Sequence, residues 1–114
     1  MSPPTKPGFH RPDSLAEVAR RAQTSEDIDI LFREFLDAWY GAKPENRLAM
    51  IDEEPTLFEE TAFRDRKGAP IGKVWNAWLA ASAEWLAWRV DLPIPGWTRG
   101  PERFLRYPYF AGGL

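Results

Sequence analysis

An all-α fold, a compact bundle of four to five helices, is predicted from three observations. Apolar residues recur at helical spacing in two long segments. Capping signatures and prolines punctuate the chain between them. No run of convincing length alternates with the period of a strand, and no internal repeat is present. One of the two segments carries four of the six tryptophans, and it is expected to be the central helix, with an extended Pro/aromatic segment after it.

The chain of 114 residues is sized for one domain. Met1–Pro12 holds four prolines and no hydrophobic period, so residues 1–12 are expected as an extended or disordered tail and residues 13–114 as a single helical domain. The tail lacks the apolar core of a secretory signal, and no run approaches the length that spans a bilayer. A cytoplasmic protein without a membrane partner is therefore expected. A formal net charge of −2 gives no general attraction to phosphates, which disfavours nucleic acid as a partner. Without cysteine there can be no disulfide, thiolate zinc site or Cys nucleophile.

The elements follow in order. Ser14 and Glu17 make an S-x-x-E capping box, ahead of Leu15, Val18, Ala19 and Ala22 at helical spacing. A break at Gln23–Thr24 leads to a second N-cap at Ser25. The stripe Ile28, Leu31, Phe32, Phe35, Leu36 and Trp39 then ends at Gly41, expected in the left-handed conformation. Pro44 suits a first helical position, and Leu48 and Ile51 give a short apolar edge that Pro55 stops. Thr56 and Glu59 read as another capping box, opening a segment through Phe63. Arg64–Pro70 reads as a loop.

The main helix is expected over Ile71–Val90. Trp75, Trp78, Leu79, Trp85 and Leu86 fall on one broad face, assigned to the core, with Ala77, Ala80, Ala83 and Ala87 on the back. Trp88 sits at the edge of that stripe and is the candidate for an interface. Arg89 is expected to lay its stem over apolar surface near the helix C-terminus. Residues 92–97 read as extended, and Pro101 starts a last short turn carrying Arg103, Phe104 and Leu105.

Chemistry-bearing patterns are sparse. His10, the only histidine, stands in the proline-rich tail without convergent carboxylates. Glu53–Glu54 and Glu59–Glu60 are neighbours that diverge by about 100° on a helix, unlike an acid/base pair. No phosphate-cradling glycine motif occurs. The expectation is no enzyme, no catalytic residue, no metal and no cofactor. Arg64, Arg66 and Lys67, and Arg99, Arg103 and Arg106, read as solvated or weakly paired charges.

Two features bear on partners. Residues 15–36 have the outline of a helix-turn-helix, yet the second helix opens with Glu26, Asp27 and Asp29, which repel phosphate. A DNA-binding regulator is thus the alternative reading. Tyr107, Tyr109 and Phe110 supply large anchors on a proline-punctuated segment, which either engages a partner or folds back over the tryptophan helix.

The run Pro95-x-Trp97-Thr98-x-x-Pro101-x-Arg103-Phe104-Leu105-x-x-Pro108-Tyr109-Phe110 resembles the ending of small uncharacterised bacterial helical proteins often encoded beside toxin–antitoxin-type genes. Phe32-x-x-Phe35-Leu36-Asp37-x-x-Tyr40 is similar to their first long helix. The resemblance implies a helical protein that binds another protein and carries over no catalytic residue. The resulting expectation is a non-enzymatic interaction module, antitoxin- or immunity-like. It would bind a partner protein or a second copy through its aromatic C-terminal region, with Trp88, Trp97, Arg103, Tyr107, Tyr109 and Phe110 as the contacting residues.

Overall fold

A computed structural model describes residues 10–24 and 26–105, and in them the chain is an all-α bundle. Helix α1 spans Leu15–Ala22, α2 Ile28–Gly41, α3 Arg47–Asp52 and α4 Gly72–Arg89, with short 3-10 turns between α2 and α3 and on both sides of α4. The only β-type pairing among the described residues is an isolated bridge between Arg64 and Pro70.

Local chemistry explains the boundaries. The Ser14 hydroxyl accepts from the Glu17 N–H at 3.0 Å, which starts α1 where the capping box requires. The Glu17 carboxylate reaches the Asp13 N–H at 3.4 Å instead of the Ser14 N–H, so the box closes one residue wide. The cap of α2 is Asp27, not Ser25, which lies outside the described residues. Asp27 Oδ1 accepts from the N–H groups of Asp29 and Ile30 at 2.9 and 3.3 Å. An ionised carboxylate there also meets the positive end of the helix dipole, which favours Asp27 over a hydroxyl. Arg21 joins the two helices by donating to the Glu26 carboxylate at 2.6 and 2.8 Å, and that hydrogen bonding holds the Glu26 carboxyl below its usual range.

Gly41 ends α2 without a left-handed conformation. Left-handed backbone occurs instead at Asp91, with φ of 62°, just past α4. There the Leu92 N–H donates to the Ala87 carbonyl at 2.9 Å and the Asp91 N–H to the Trp88 carbonyl at 3.4 Å, the paired bonds of a Schellman ending. Such a position favours glycine, so Asp91→Gly should raise stability by about 0.5 kcal/mol in a urea titration. A loss would show that the Asp side chain contributes more than the backbone conformation costs.

The core gathers Leu15, Val18, Phe35, Trp39, Ile51, Leu79 and Leu86, with neighbours from all four helices. The expected boundary between tail and domain moves toward the N-terminus. Pro12 is fully buried, Arg11 bonds Glu34 at 2.8 Å, and the His10 carbonyl accepts from Arg21 at 2.7 Å. Burial of the proline ring and these anchors bring residues 10–12 into the fold.

The face that α4 turns inward is rotated from the expected one: Leu79 and Leu86 are buried as expected, but the alanines replace Trp78 and Trp85 beside them. Its buried residues are Gly72, Asn76, Leu79, Ala80, Ala83, Leu86 and Ala87. Trp78 and Trp85 are exposed, and only Trp75 packs against the core from its edge. The reason lies in what α4 packs against. On this side it meets irregular backbone, residues 55–62 and 95–103, not another helix with long side chains. Small residues let that backbone come close, and Asn76 then clamps it. Its Oδ1 accepts from the Phe58 N–H at 2.8 Å, and its Nδ2 donates to the Phe58 carbonyl at 3.0 Å. A tryptophan face would hold the segment several ångströms away and leave those buried amides unpaired. The Thr56–Glu59 capping box does not form for the same reason. This stretch runs extended past α4, and only Glu60–Ala62 makes a 3-10 turn, with no side-chain cap.

Candidate functional site

The displaced tryptophans form the most distinctive surface of the molecule. Trp78, Trp85 and Trp88 lie about 140–160° around α4 from the buried Ala83 at 100° per residue. Their exposures are 46%, 47% and 73%. Between this face and α2 runs an apolar groove of two adjoining compartments, about 690 and 470 Å³, which share Phe32, Trp78 and Ala81.

The aromatic rings build the groove. Phe32 on α2 meets Trp75 and Trp78 edge-on, each with ring centroids 6.2 Å apart. These contacts wedge the two helices apart and leave a channel open to the outside. One compartment is closed at its side by Ile71, Val74 and Leu105, the other by Leu36, Tyr40 and Trp85. Among the described residues, charge enters only at the rim, through Asp29 and Arg33 of α2. The Arg89 guanidinium stacks over Trp85 with its carbon 4.8 Å from the ring centroid, so the dipole-facing cation also extends the aromatic surface.

Of the residues predicted to contact a partner, the structure leaves Trp88 open and takes Arg103 away. The Arg103 side chain is 0% exposed. It donates to the Pro55 carbonyl, to the Asn76 carbonyl at 3.4 Å and to the Glu54 carboxylate at 3.2 Å. Its guanidinium carbon lies 5.0 Å from the Trp97 ring centroid. Trp97 is half-buried under it, and its indole N–H donates to the Ile51 carbonyl at 2.9 Å. Arg103 and Trp97 therefore form an internal clamp that fastens the 3-10 turns Gly96–Arg99 and Pro101–Arg103 to α4 and to the end of α3. The Arg103 Nη1 and Nη2 groups and the Trp97 indole N–H are used inside the chain, while the buried Arg103 Nε makes no hydrogen bond among the described residues. Tyr107, Tyr109 and Phe110 lie outside the described residues.

Trp78, Trp85 and Tyr40 were missed as surface residues by sequence reasoning, while Phe32 is buried as expected and touches the groove with its ring edge. A signal was present in the small-residue stripe Gly72, Asn76, Ala80, Ala83 and Ala87. A buried amide among small residues marks a face that receives backbone, which sends the large rings to the other side.

Among the described residues no three His, Asp or Glu side chains cluster as metal ligands, and no helix is long and apolar enough to cross a membrane. No family model matches the chain, and no curated protein or solved structure matches it.

Proposed function

We propose that this protein is a non-enzymatic interaction module that binds a partner protein on the α2–α4 groove and the adjoining Trp88, as a cytoplasmic antitoxin- or immunity-like component. The observation that carries the binding reading is three large indole rings left exposed on one face of a short chain. A solitary exposed apolar residue is ordinary, but contiguous rings beside an apolar channel are what interfaces use, and tryptophan is the residue most enriched among their hot spots. The resemblance of residues 95–110 to helical proteins encoded near toxin genes supports the narrower antitoxin-like role.

The DNA-binding alternative draws no support from charge. Asp29 and Asp37 face solvent on α2, and Arg33 is the one exposed cation along that helix. A binder of small apolar molecules is a separate reading favoured by the groove, since about 690 Å³ falls within the roughly 300–1,000 Å³ of such sites.

The test is affinity capture from source cells with the wild-type chain and with Trp78→Gln, Trp85→Gln and Trp88→Gln combined. These rings support little of the core, so the melting temperature should hold while a specifically captured partner is lost. Trp88→Ala alone should weaken the isolated complex about 30-fold, the order expected for one hot-spot indole. Equal capture by wild type and triple variant overturns the site. A tryptophan emission change on adding a metabolite fraction, with no protein captured, favours the small-ligand reading.

A further inference from the structure

On the outer face of α4, Val74, Trp78, Ala81, Trp85 and Trp88 follow one another at intervals of four, three, four and three residues. They fall within about 80° at 100° per residue, the kind of seam by which one helix packs along another. Trp78, Ala81, Trp85 and Trp88 are exposed, Val74 is half-buried, and no charged residue interrupts the seam. We propose that two copies of this protein pair through it, with their α4 helices antiparallel across a two-fold axis at Ala81. The pairing rests on the reading of this face as an interface and names a second copy as its occupant in the free protein.

Three observations favour a copy. First, the seam is nearly palindromic, and a two-fold interface must be self-complementary. Val74 and Trp88 stand seven residues either side of Ala81, and Trp78 and Trp85 stand three and four. An antiparallel pair therefore sets Trp88 against the smaller Val74 of the second copy and Trp78 against its Trp85. The alanines meet at the axis, where the helices come closest. A parallel pair would set Trp88 on Trp88 and Val74 on Val74, splaying one end and leaving a gap at the other. Second, the area suffices. At about 200–250 Å² for an aromatic side chain, the exposed parts of Trp78, Trp85, Trp88 and Tyr40 amount to about 500 Å² per copy. A standard interface buries about 800 Å² per partner, and Val74, Ala81 and the Arg89 stem border the same face. Third, charge is complementary. Helix α2 runs beside α4 in the same direction, since Phe32 meets Trp75 and Trp78, and Tyr40 lines a compartment with Trp85. Asp29 thus stands beside Ile71 and Val74, with no ion pair among the described residues. Arg89 lies eight residues beyond Ala81, so the axis brings Arg89 of the second copy level with Lys73, eight residues before it. Its guanidinium, held over Trp85, is on the flank that α2 occupies, whereas Lys73 lies about 160° away around the helix. Asp29 is the charge that Arg89 meets there.

The consequence is an exclusion. The same indoles cannot serve the copy and another protein at once. A partner that takes this face separates the pair, and its apparent affinity falls as the protein concentration rises.

Sedimentation equilibrium of the full chain should give twice the chain mass, with dissociation on dilution. Trp85→Glu should weaken the pair about 1,000-fold while circular dichroism stays helical, because a two-fold interface loses each indole twice and one is worth about 30-fold. Asp29→Arg should weaken it about 10-fold, and adding Arg89→Glu to the same chain should restore it. The protein has no cysteine, so single substitutions fix the register. Ala81→Cys should form a disulfide with its counterpart in the second copy. Val74→Cys should not, since its counterpart lies 14 positions away along the seam, about 21 Å at 1.5 Å per residue. A monomer at every concentration overturns the pair, and partner capture then tests the interface reading separately. A dimer that Trp85→Glu leaves intact overturns the face. Absence of the Ala81→Cys disulfide, or equal trapping by Val74→Cys, overturns the antiparallel register. Should Trp85→Glu unfold the protein, the disulfides and the charge exchange decide.

Discussion

Arg103→Met should lower the stability of the fold by about 3 kcal/mol, with the midpoint of urea unfolding falling and its slope unchanged. The size follows from what cannot be altered along with it. Replacing a whole buried ion pair by apolar residues is often neutral, because both charges escape desolvation together. Here two of the partners are backbone carbonyls, of Pro55 and Asn76. They stay buried after the substitution, and each loses a charge-assisted donor. An unsatisfied buried acceptor costs about 1–3 kcal/mol, and the cation over the Trp97 ring adds about 1–2 kcal/mol more. Release of a desolvated guanidinium offsets part of the sum. For a chain of this size the loss corresponds to roughly 12–15 °C in Tm. Arg103→Lys should recover less than half, since a point charge cannot span Pro55, Asn76 and Glu54 as the guanidinium fork does. Glu54→Gln should change little, because that carboxylate is half exposed and screened. A loss under about 1 kcal/mol for Arg103→Met would show that the clamp is incidental to the fold.

Gly72→Ala should be destabilising by about 3 kcal/mol, against the sign that helix propensity predicts. At an ordinary helical site this exchange stabilises by about 1 kcal/mol. At Gly72 a Cβ would lie 1.8 Å from the Glu59 carbonyl oxygen and 2.8 Å from its carbon. Both are backbone atoms, so no side-chain rotation relieves the clash. Residues 55–62 would have to move off α4, and the double hydrogen bond between Asn76 and Phe58 resists that shift. Overpacking costs about 1–3 kcal/mol, and the upper end applies where the obstacle is pinned main chain. Thermal melting gives the magnitude, and faster hydrogen exchange at the Phe58 amide would locate the cause. A stabilised Gly72→Ala protein would mean that the segment yields freely, and the account of the α4 inner face would fail with it.

These two residues also mark where sequence reasoning stops. The stripe Ile28, Leu31, Phe32, Phe35 and Trp39 was legible because hydrophobic spacing there has a single apolar face, and that face is buried. Helix α4 is apolar on more than one side. Indoles occupy one side and alanines another, with Leu79 and Leu86 between them, so periodicity alone assigns either to the core. Area favours the indoles, and the buried answer was the alanines. Arg103 misled in the same way. Three cations near Trp97 read as solvated surface, yet one of them satisfies carbonyls distant in sequence.

Helical class, the order of elements, the Ser14 cap, the start at Pro44 and the extent of α4 were determined by the sequence itself. Each depends on interactions within a few residues, such as a side chain reaching the next turn or a proline lacking its N–H. The face of α4 that is buried, the clamp of Arg103 on Trp97 and the groove against α2 were decided only by tertiary structure. Their energetics depend on which backbone arrives beside which side chain after the chain has folded on itself. Close approach of the 55–62 and 95–103 segments requires small residues and an amide, and that requirement places the tryptophans outside, where binding can use them.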